Sequence, residues 1–157
     1  MTIEHNIDEQ QGFTLIELLL VIGILSILLT ITLIAINPAR QFGLANDTKR
    51  KSDITQILNS VGQYEASNTG NLPTDITALS ASGSALEINN TNFPNLCGQF
   101  VPTYISSLPV DPSLNNQAGI TSCVGTWDTG YQLSRDSFNR ITVYASHAYA
   151  GPIQIVR

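Results

Sequence analysis

The hydrophobic positions of the chain form two patterns, and the first is an almost continuous apolar segment. From Phe13 to Ile36 the sequence contains no charged residue except Glu17. At 1.5 Å per residue this segment makes a helix of about 36 Å, long enough to cross a hydrocarbon core of about 30 Å. A cleaved secretory signal has a shorter apolar core and a small-residue site after it, whereas here the small residue Gly12 precedes the core. The pattern therefore predicts a membrane-spanning helix over residues 13–36.

The second pattern is an amphipathic helix. Ile54, Ile57, Leu58, Val61 and Tyr64 recur at helical spacing, and the positions between them are mostly polar. Such a stripe is typical of a helix that packs one face on a sheet. We assign this helix to residues 37–70 and a C-terminal globular domain to residues 71–157.

Both ends of the amphipathic helix carry helix-breaking residues. Pro38 lacks a backbone donor and disfavours helix at Asn37, so a kink is predicted near Asn37-Pro38. The sequence NTGNLP, residues 68–73, contains the Asn, Gly and Pro expected where a helix ends. An unbroken helix over residues 13–68 would be about 80 Å long. That length is implausible in a compact monomer and suits a chain whose first half lies in lipid or in a filament core.

The globular half reads as a small β-structure. GYQLSRDSFNRITVYAS, residues 130–146, predicts a hairpin, and GPIQIVR predicts a terminal strand. Residues 74–100 are predicted to be a loop with a short helix near residues 77–86. We expect an antiparallel sheet of three or four strands on the amphipathic helix, because so small a sheet is not stable alone. The fold class is therefore α+β, with a long N-terminal helix packed through its second half on the sheet.

Composition favours an exported or self-assembling protein. Charged residues make up 12% of the chain, about half of the usual value of roughly 25%. The formal net charge is -5, and nothing suggests a strongly basic nucleic-acid surface. The one basic cluster is Lys49-Arg50-Lys51. We interpret it as a solvated helix face, with lipid headgroups, DNA or a neighbouring subunit as the alternatives.

The remaining candidate chemistry is sparse. Cys97 and Cys123 are a plausible disulfide in an exported domain, with two buried thiols as the alternative. A bond between them would close a loop of about 27 residues and tie the LPVDP sequence to the hairpin. The histidines, His5 and His147, lie at opposite ends of the chain. We predict no catalytic residue, no metal site and no cofactor. Asp111, Asn115 and Asp128 could offer oxygen ligands to a calcium ion, but their spacing is not diagnostic of a calcium site.

Glu17 is the residue that the apolar segment does not explain. A carboxylate inside such a helix is costly, and residues of this kind are usually functional and paired. The nearest basic residue after it is Arg40, at the far end of the span. Cleavage after Gly12 would create an α-amino group on Phe13, one helical turn from Glu17. The same amine could equally meet Glu17 of a neighbouring subunit, which would favour assembly.

The stretch GFTLIELLLVIGILSILLTI resembles the processing and methylation motif of type IV prepilins and pseudopilins. The likeness extends through residue 73 and is closest to major subunits. It implies a pilin fold, a leader over residues 1–12, and cleavage between Gly12 and Phe13 by a prepilin peptidase. It also implies N-methylation of Phe13 and pairing of Glu17 with the N-terminus of an adjacent subunit. One departure is that the leader has no Lys or Arg.

The resemblance also implies partners, location and function. The partners would be identical subunits in a helical filament, minor pilins, the prepilin peptidase, and an inner-membrane assembly platform with cytoplasmic ATPase motors. The chain would be a single-pass cytoplasmic membrane protein before assembly and an extracellular surface filament afterwards. The expected function is a non-enzymatic subunit of a type IV pilus used in attachment, motility or DNA uptake. The alternatives are the major pseudopilin of a type II secretion or competence pseudopilus, a membrane-anchored extracellular binding module, and an anchored enzyme.

Overall fold

The computed structural model describes residues 12–81, 83–114 and 118–157. Of the predicted leader, only Gly12 is among them. The chain forms two compact units, the first ending at Gln41 and the second, the globular unit, beginning at Phe42. Its elements are α1 (Leu15–Ile36), α2 (Pro38–Ser67), α3 (Thr74–Thr77), β1 (Leu86–Asn89), α4 (Leu96–Phe100), β2 (Asp128–Arg135), β3 (Ile141–Ala145) and β4 (Ile153–Val156).

Helix α1 is apolar on every side, and none of its residues is buried. It is long and apolar enough to cross a membrane, judged by length and composition. Its hydroxyl groups do not interrupt it, because they donate to carbonyls one turn earlier. Ser26 bonds the Ile22 carbonyl at 2.7 Å, and Thr30 bonds the Ser26 carbonyl at 2.8 Å.

Asn37 separates α1 from α2. It adopts a left-handed conformation, with φ 47° and ψ 81°, at the C-cap of α1. Its side-chain Oδ1 also accepts a hydrogen bond from the Arg40 backbone N–H at 3.3 Å, as an N-cap residue does. Pro38 is the first residue of α2, where a missing N–H costs nothing. Asn37 therefore ends one helix and caps the next.

The globular unit contains a four-stranded antiparallel sheet in the order β1-β2-β3-β4. The predicted hairpin (β2–β3) and terminal strand (β4) are confirmed. The prediction for residues 74–100 is partly wrong. The short helix α3 lies earlier, at Thr74–Thr77, residues 86–89 form the edge strand β1, and α4 is an additional helix. Strand β1 has four residues and pairs with β2 about 40 or more positions away, so no local period reveals it.

The hydrophobic core joins α2 to the sheet. Ile54, Ile57, Leu58 and Val61 are each at most 3% exposed, as the helical stripe predicts. The same core cluster contains fully buried side chains of the strands: Ile88, Tyr131, Leu133 and Val143. The α+β fold, with the helix packed on a small antiparallel sheet, is thus confirmed.

A disulfide links two segments of the globular unit. Cys97 in α4 is bonded to Cys123, and their Cα atoms are 5.5 Å apart. Within the loop that the bond closes, Leu108 and Ile120 exchange two backbone hydrogen bonds of 3.0 and 2.8 Å. The cross-link therefore connects α4 to the chain that leads into β2.

Candidate functional site

The Gly12–Phe13 peptide bond lies in non-helical, exposed chain just before α1. Phe13 is 92% exposed. Apart from its chain neighbours, no atom of the described residues would lie within 4 Å of a Cβ built on Gly12. The fold itself therefore does not require glycine here. A requirement for glycine would have to come from an enzyme that binds this bond.

Glu17 is held by its own helix terminus in a capping box. Its Oε2 accepts hydrogen bonds from the Thr14 backbone N–H at 3.0 Å and from the Thr14 hydroxyl at 2.8 Å. The Glu17 backbone N–H in turn donates to the Thr14 hydroxyl oxygen at 3.3 Å. This reciprocal pattern satisfies two amides that a helix start leaves without partners. Thr14 thus fixes the carboxylate at the N-terminal end of the apolar helix.

The capping box leaves Glu17 able to bind more. Both local hydrogen bonds go to Oε2, and within the described part of the chain Oε1 accepts none. No ion pair reaches Glu17 in that part either. The position therefore presents a negative charge with a free acceptor, close to the nitrogen that cleavage after Gly12 would expose.

The basic cluster at residues 49–51 differs from its prediction. Arg50 is only 3% exposed. Its Nε and Nη2 donate to the two carboxylate oxygens of Asp111 at 2.9 and 3.0 Å, and its Nη1 donates to Asp47 at 3.0 Å. The interpretation of this cluster as a solvated face is wrong for Arg50, because α2 presents that side chain to two aspartates and not to water.

The two aspartates join α2 to distant segments. Asp47 accepts hydrogen bonds from the backbone N–H groups of Tyr149 and Ala150, at 2.8 and 2.9 Å, in the β3–β4 connection. Asp111 lies in the LPVDP sequence and also accepts from Ser113. We call Asp47, Arg50 and Asp111 the buried charge network. It ties three separate parts of the globular unit together.

The network is charged at neutral pH. Burial raises the pKa of Asp111, but hydrogen bonds from Arg50 and Ser113 outweigh it and leave the pKa below its usual value. Burial also raises the pKa of Asp47, but the hydrogen bonds from the two backbone N–H groups and from Arg50 outweigh this effect and lower the pKa below its usual value. The Asp111 hydrogen bonds raise the pKa of Arg50.

Lys49 is also engaged within the chain. Its Nζ lies 2.6 Å from Asp53 and 3.1 Å from the Val110 carbonyl. Asp53 accepts a second hydrogen bond from the Tyr131 hydroxyl at 2.7 Å. Burial is the main cause that raises the pKa of Tyr131, and the hydrogen bond to Asp53 is the second cause. Two of the three cations are thus neutralised internally, which leaves little charge for DNA.

The other candidate residues are His5, Asn115, Asp128 and His147. Asn115 and His5 lie outside the described residues. His147 is exposed in the β3–β4 connection, and Asp128 accepts from the Gly130 backbone at 2.9 Å. In the described ranges no three His, Cys, Asp or Glu side chains are grouped as metal ligands would be.

Comparison with known families identifies the N-terminal segment. A long apolar helix with a capping-box glutamate in its first turn precedes a small α+β unit in the chain, and this arrangement fits a membrane-anchored precursor. Residues 8–33 match the family described as the prokaryotic N-terminal methylation motif, the type IV pilin and pseudopilin signature. The resemblance seen in the sequence is confirmed, and the match includes Gly12, Phe13 and Glu17. No characterised protein and no solved structure matches the chain.

Sequence reasoning missed two functional details. The role of Thr14 could have been read from Thr-x-x-Glu, which is the capping-box spacing. The Arg50–Asp111 contact has a sequence separation of 61 and no local signal.

Proposed function

We propose that the chain is the structural subunit of a type IV pilus filament. In this proposal a prepilin peptidase cuts between Gly12 and Phe13, and Phe13 becomes the N-methylated end of the mature subunit. The observation that supports it most is the state of α1. This helix is exposed on all sides, and within the described chain Glu17 Oε1, near the predicted cleavage site, accepts no hydrogen bond.

Polymerisation would give α1 the partners that it lacks as a monomer. Helices bundled in a filament core exchange lipid contacts for helix contacts. A carboxylate entering that core needs a counter-charge, since an unpaired one is costly there. The Phe13 amine of an adjacent subunit would supply this charge, and a charge-assisted hydrogen bond to Glu17 would fix the axial register.

The proposal includes the partners and locations that such a filament needs. Before assembly the subunit would span the cytoplasmic membrane once, next to an assembly platform driven by cytoplasmic ATPases. After assembly it would lie in a surface filament with identical subunits and minor pilins. A secretion or competence pseudopilus would use the same chemistry. A membrane-anchored binding module would leave Glu17 without a role, so Glu17 distinguishes the two classes.

The first test is the intact mass and N-terminal sequence of protein sheared from cells. The proposal expects a chain that starts at Phe13 and carries one extra methyl group. A sheared chain that starts at Met1 would contradict processing. Gly12→Glu should block cleavage while leaving the described fold unchanged, because a Cβ at residue 12 would meet no atom of the described chain beyond its neighbours.

The second test separates the charge of Glu17 from its capping role. Glu17→Gln keeps an oxygen that can accept from Thr14 but removes the charge, and Glu17→Ala removes both. Both variants should be inserted and cleaved normally, as an immunoblot of membranes would show, and both should lose surface filaments. A normal filament yield from Glu17→Gln would refute the pairing argument.

A further inference from the structure

An apolar groove lies at one edge of the sheet, and one residue that lines it, Lys51, has a charged side chain without an ion pair in the described chain. The groove lies between α2 and β4 and has a volume of about 570 Å³. Its apolar side chains include Leu44, Pro152 and Ile153. Lys51 also lines it, is exposed, and forms no ion pair within the described residues. Asp47, the one acid there, is already neutralised by Arg50.

The opposite edge of the sheet has the complementary character. Strand β1 exposes Leu86, which is 41% accessible, and Glu87. Asp128, at the start of β2, pairs with Asn89 of β1 and is also exposed. Neither Glu87 nor Asp128 forms an ion pair in the part of the chain that the structure covers. We call Leu86, Glu87 and Asp128 the acidic edge.

The positions of the two surfaces on the globular unit determine which type of assembly their contact would form. Strands β1 and β4 are the outer strands of one sheet, so the acidic edge and the groove lie on opposite sides of the unit. A contact that joins two different surfaces is heterologous, and its repetition gives a ring or an open helix. Leu86 offers an apolar side chain to the groove, and the unpaired charges of the two surfaces have opposite signs, which favours one register over others.

We propose that neighbouring copies contact head to tail in the filament, with the acidic edge of one seated in the α2–β4 groove of the next. This inference rests on the proposed function and goes beyond it. It assigns part of the subunit contact to the globular unit, separately from the α1 core. Glu87 and Lys51 are the charges expected to pair across the contact.

Charge reversal tests the contact in the full-length protein expressed in cells. Lys51→Glu and Glu87→Lys each place like charges opposite each other, and each should lower the yield of sheared filaments by about fivefold or more. The double variant Lys51→Glu/Glu87→Lys restores opposite charges, and its yield should return to within about twofold of the original. Gln63→Glu is the matched control, since Gln63 is exposed on the same helix outside both surfaces; it should leave the yield unchanged.

Cross-linking gives a second measurement that does not depend on yield. The variant Lys51→Cys/Glu87→Cys should give a ladder of disulfide-linked multimers when its filaments are oxidised mildly. Filaments that remain monomeric on a non-reducing gel, or a double charge variant that is no better than the single ones, would overturn the inference. Failure of the original chain to form any filament would overturn the proposed function instead, so the two failures are distinguishable.

Discussion

The substitution Arg50→Met keeps a long side chain in α2 but removes the guanidinium between Asp47 and Asp111. Three hydrogen bonds of 2.9–3.0 Å disappear with it. Asp111 is fully buried and Asp47 is 8% exposed, so water cannot easily replace the lost donors. The variant therefore leaves two buried carboxylates without their shared cation.

The expected cost follows from that geometry. Removing one partner of a buried ion pair typically costs about 3–5 kcal/mol, because the remaining charge is left uncompensated. Folded domains are stable by only about 5–15 kcal/mol, so a loss of about 3 kcal/mol would remove roughly a fifth or more of the total. Asp47 keeps its two backbone donors, which places the expected loss of unfolding free energy near the lower end, about 3 kcal/mol.

Urea unfolding of the full chain in mild detergent measures this loss. Trp127 is the one tryptophan of the sequence and is 6% exposed, so its fluorescence reports the globular unit. Lys51→Met is the control, since it removes a neighbouring exposed charge and should change stability by less than about 0.5 kcal/mol. An Arg50→Met variant as stable as Lys51→Met would refute the role assigned to the buried charge network.

The pH dependence of stability provides an independent check, because the Arg50→Met variant should respond to pH differently from the original chain. In the original chain the pKa values of Asp47 and Asp111 are lowered by folding. Their contribution is complete above the unfolded value of about 3.9 and is lost as the pH falls through the folded values. Without Arg50, burial dominates and raises the folded pKa of Asp111. The variant should therefore become more stable as the pH falls from neutrality toward about 4.

Three further predictions concern other contacts of the globular unit, and the same urea assay measures each. Replacing Cys97 and Cys123 together by serine should cost about 3.5 kcal/mol, the chain-entropy value for a loop of this size. Ile57→Ala should cost about 2–5 kcal/mol, since Ile57 is fully buried in the core. Gly43→Ala would place a Cβ 2.5 Å from the ring of Tyr149 and should destabilise the β3–β4 connection. Tyr149→Ala in the same chain should remove that penalty, and a persisting loss would show another cause.

Periodicity predicted the parts of the fold in which a single element carries its own signal. The α2 stripe repeats over three turns, and the β2–β3 hairpin alternates on both sides of a turn. Strand β1 and helix α4 have four and five residues, too few for a period to be recognised. Both depend on partners supplied later in the chain, β2 for the strand and Cys123 for the helix.

The basic cluster shows why charge is harder to read than hydrophobicity. Consecutive residues on a helix point about 100° apart, so Lys49, Arg50 and Lys51 face different surroundings. Lys49 pairs one turn ahead with Asp53, Arg50 points into the unit toward Asp111, and Lys51 faces solvent. Three like charges that are consecutive in the sequence therefore lie in three separate environments in the fold. The Lys49–Asp53 and Asp47–Arg50 spacings were available to a local reading, whereas the Arg50–Asp111 contact was not.

The distribution of the acidic groups connects the fold to assembly. Asp47, Asp53 and Asp111 are satisfied by cations, hydroxyls and amides of the globular unit itself, so they stabilise one copy of the fold. Glu17 and Glu87 receive no cation from the described chain, although one belongs to an apolar helix and the other to a sheet edge. Charges that folding leaves unpaired can favour one register between neighbouring copies of a filament subunit. The two glutamates meet that condition at two independent surfaces, which is why the Glu17 and Glu87 variants should impair assembly without unfolding the subunit.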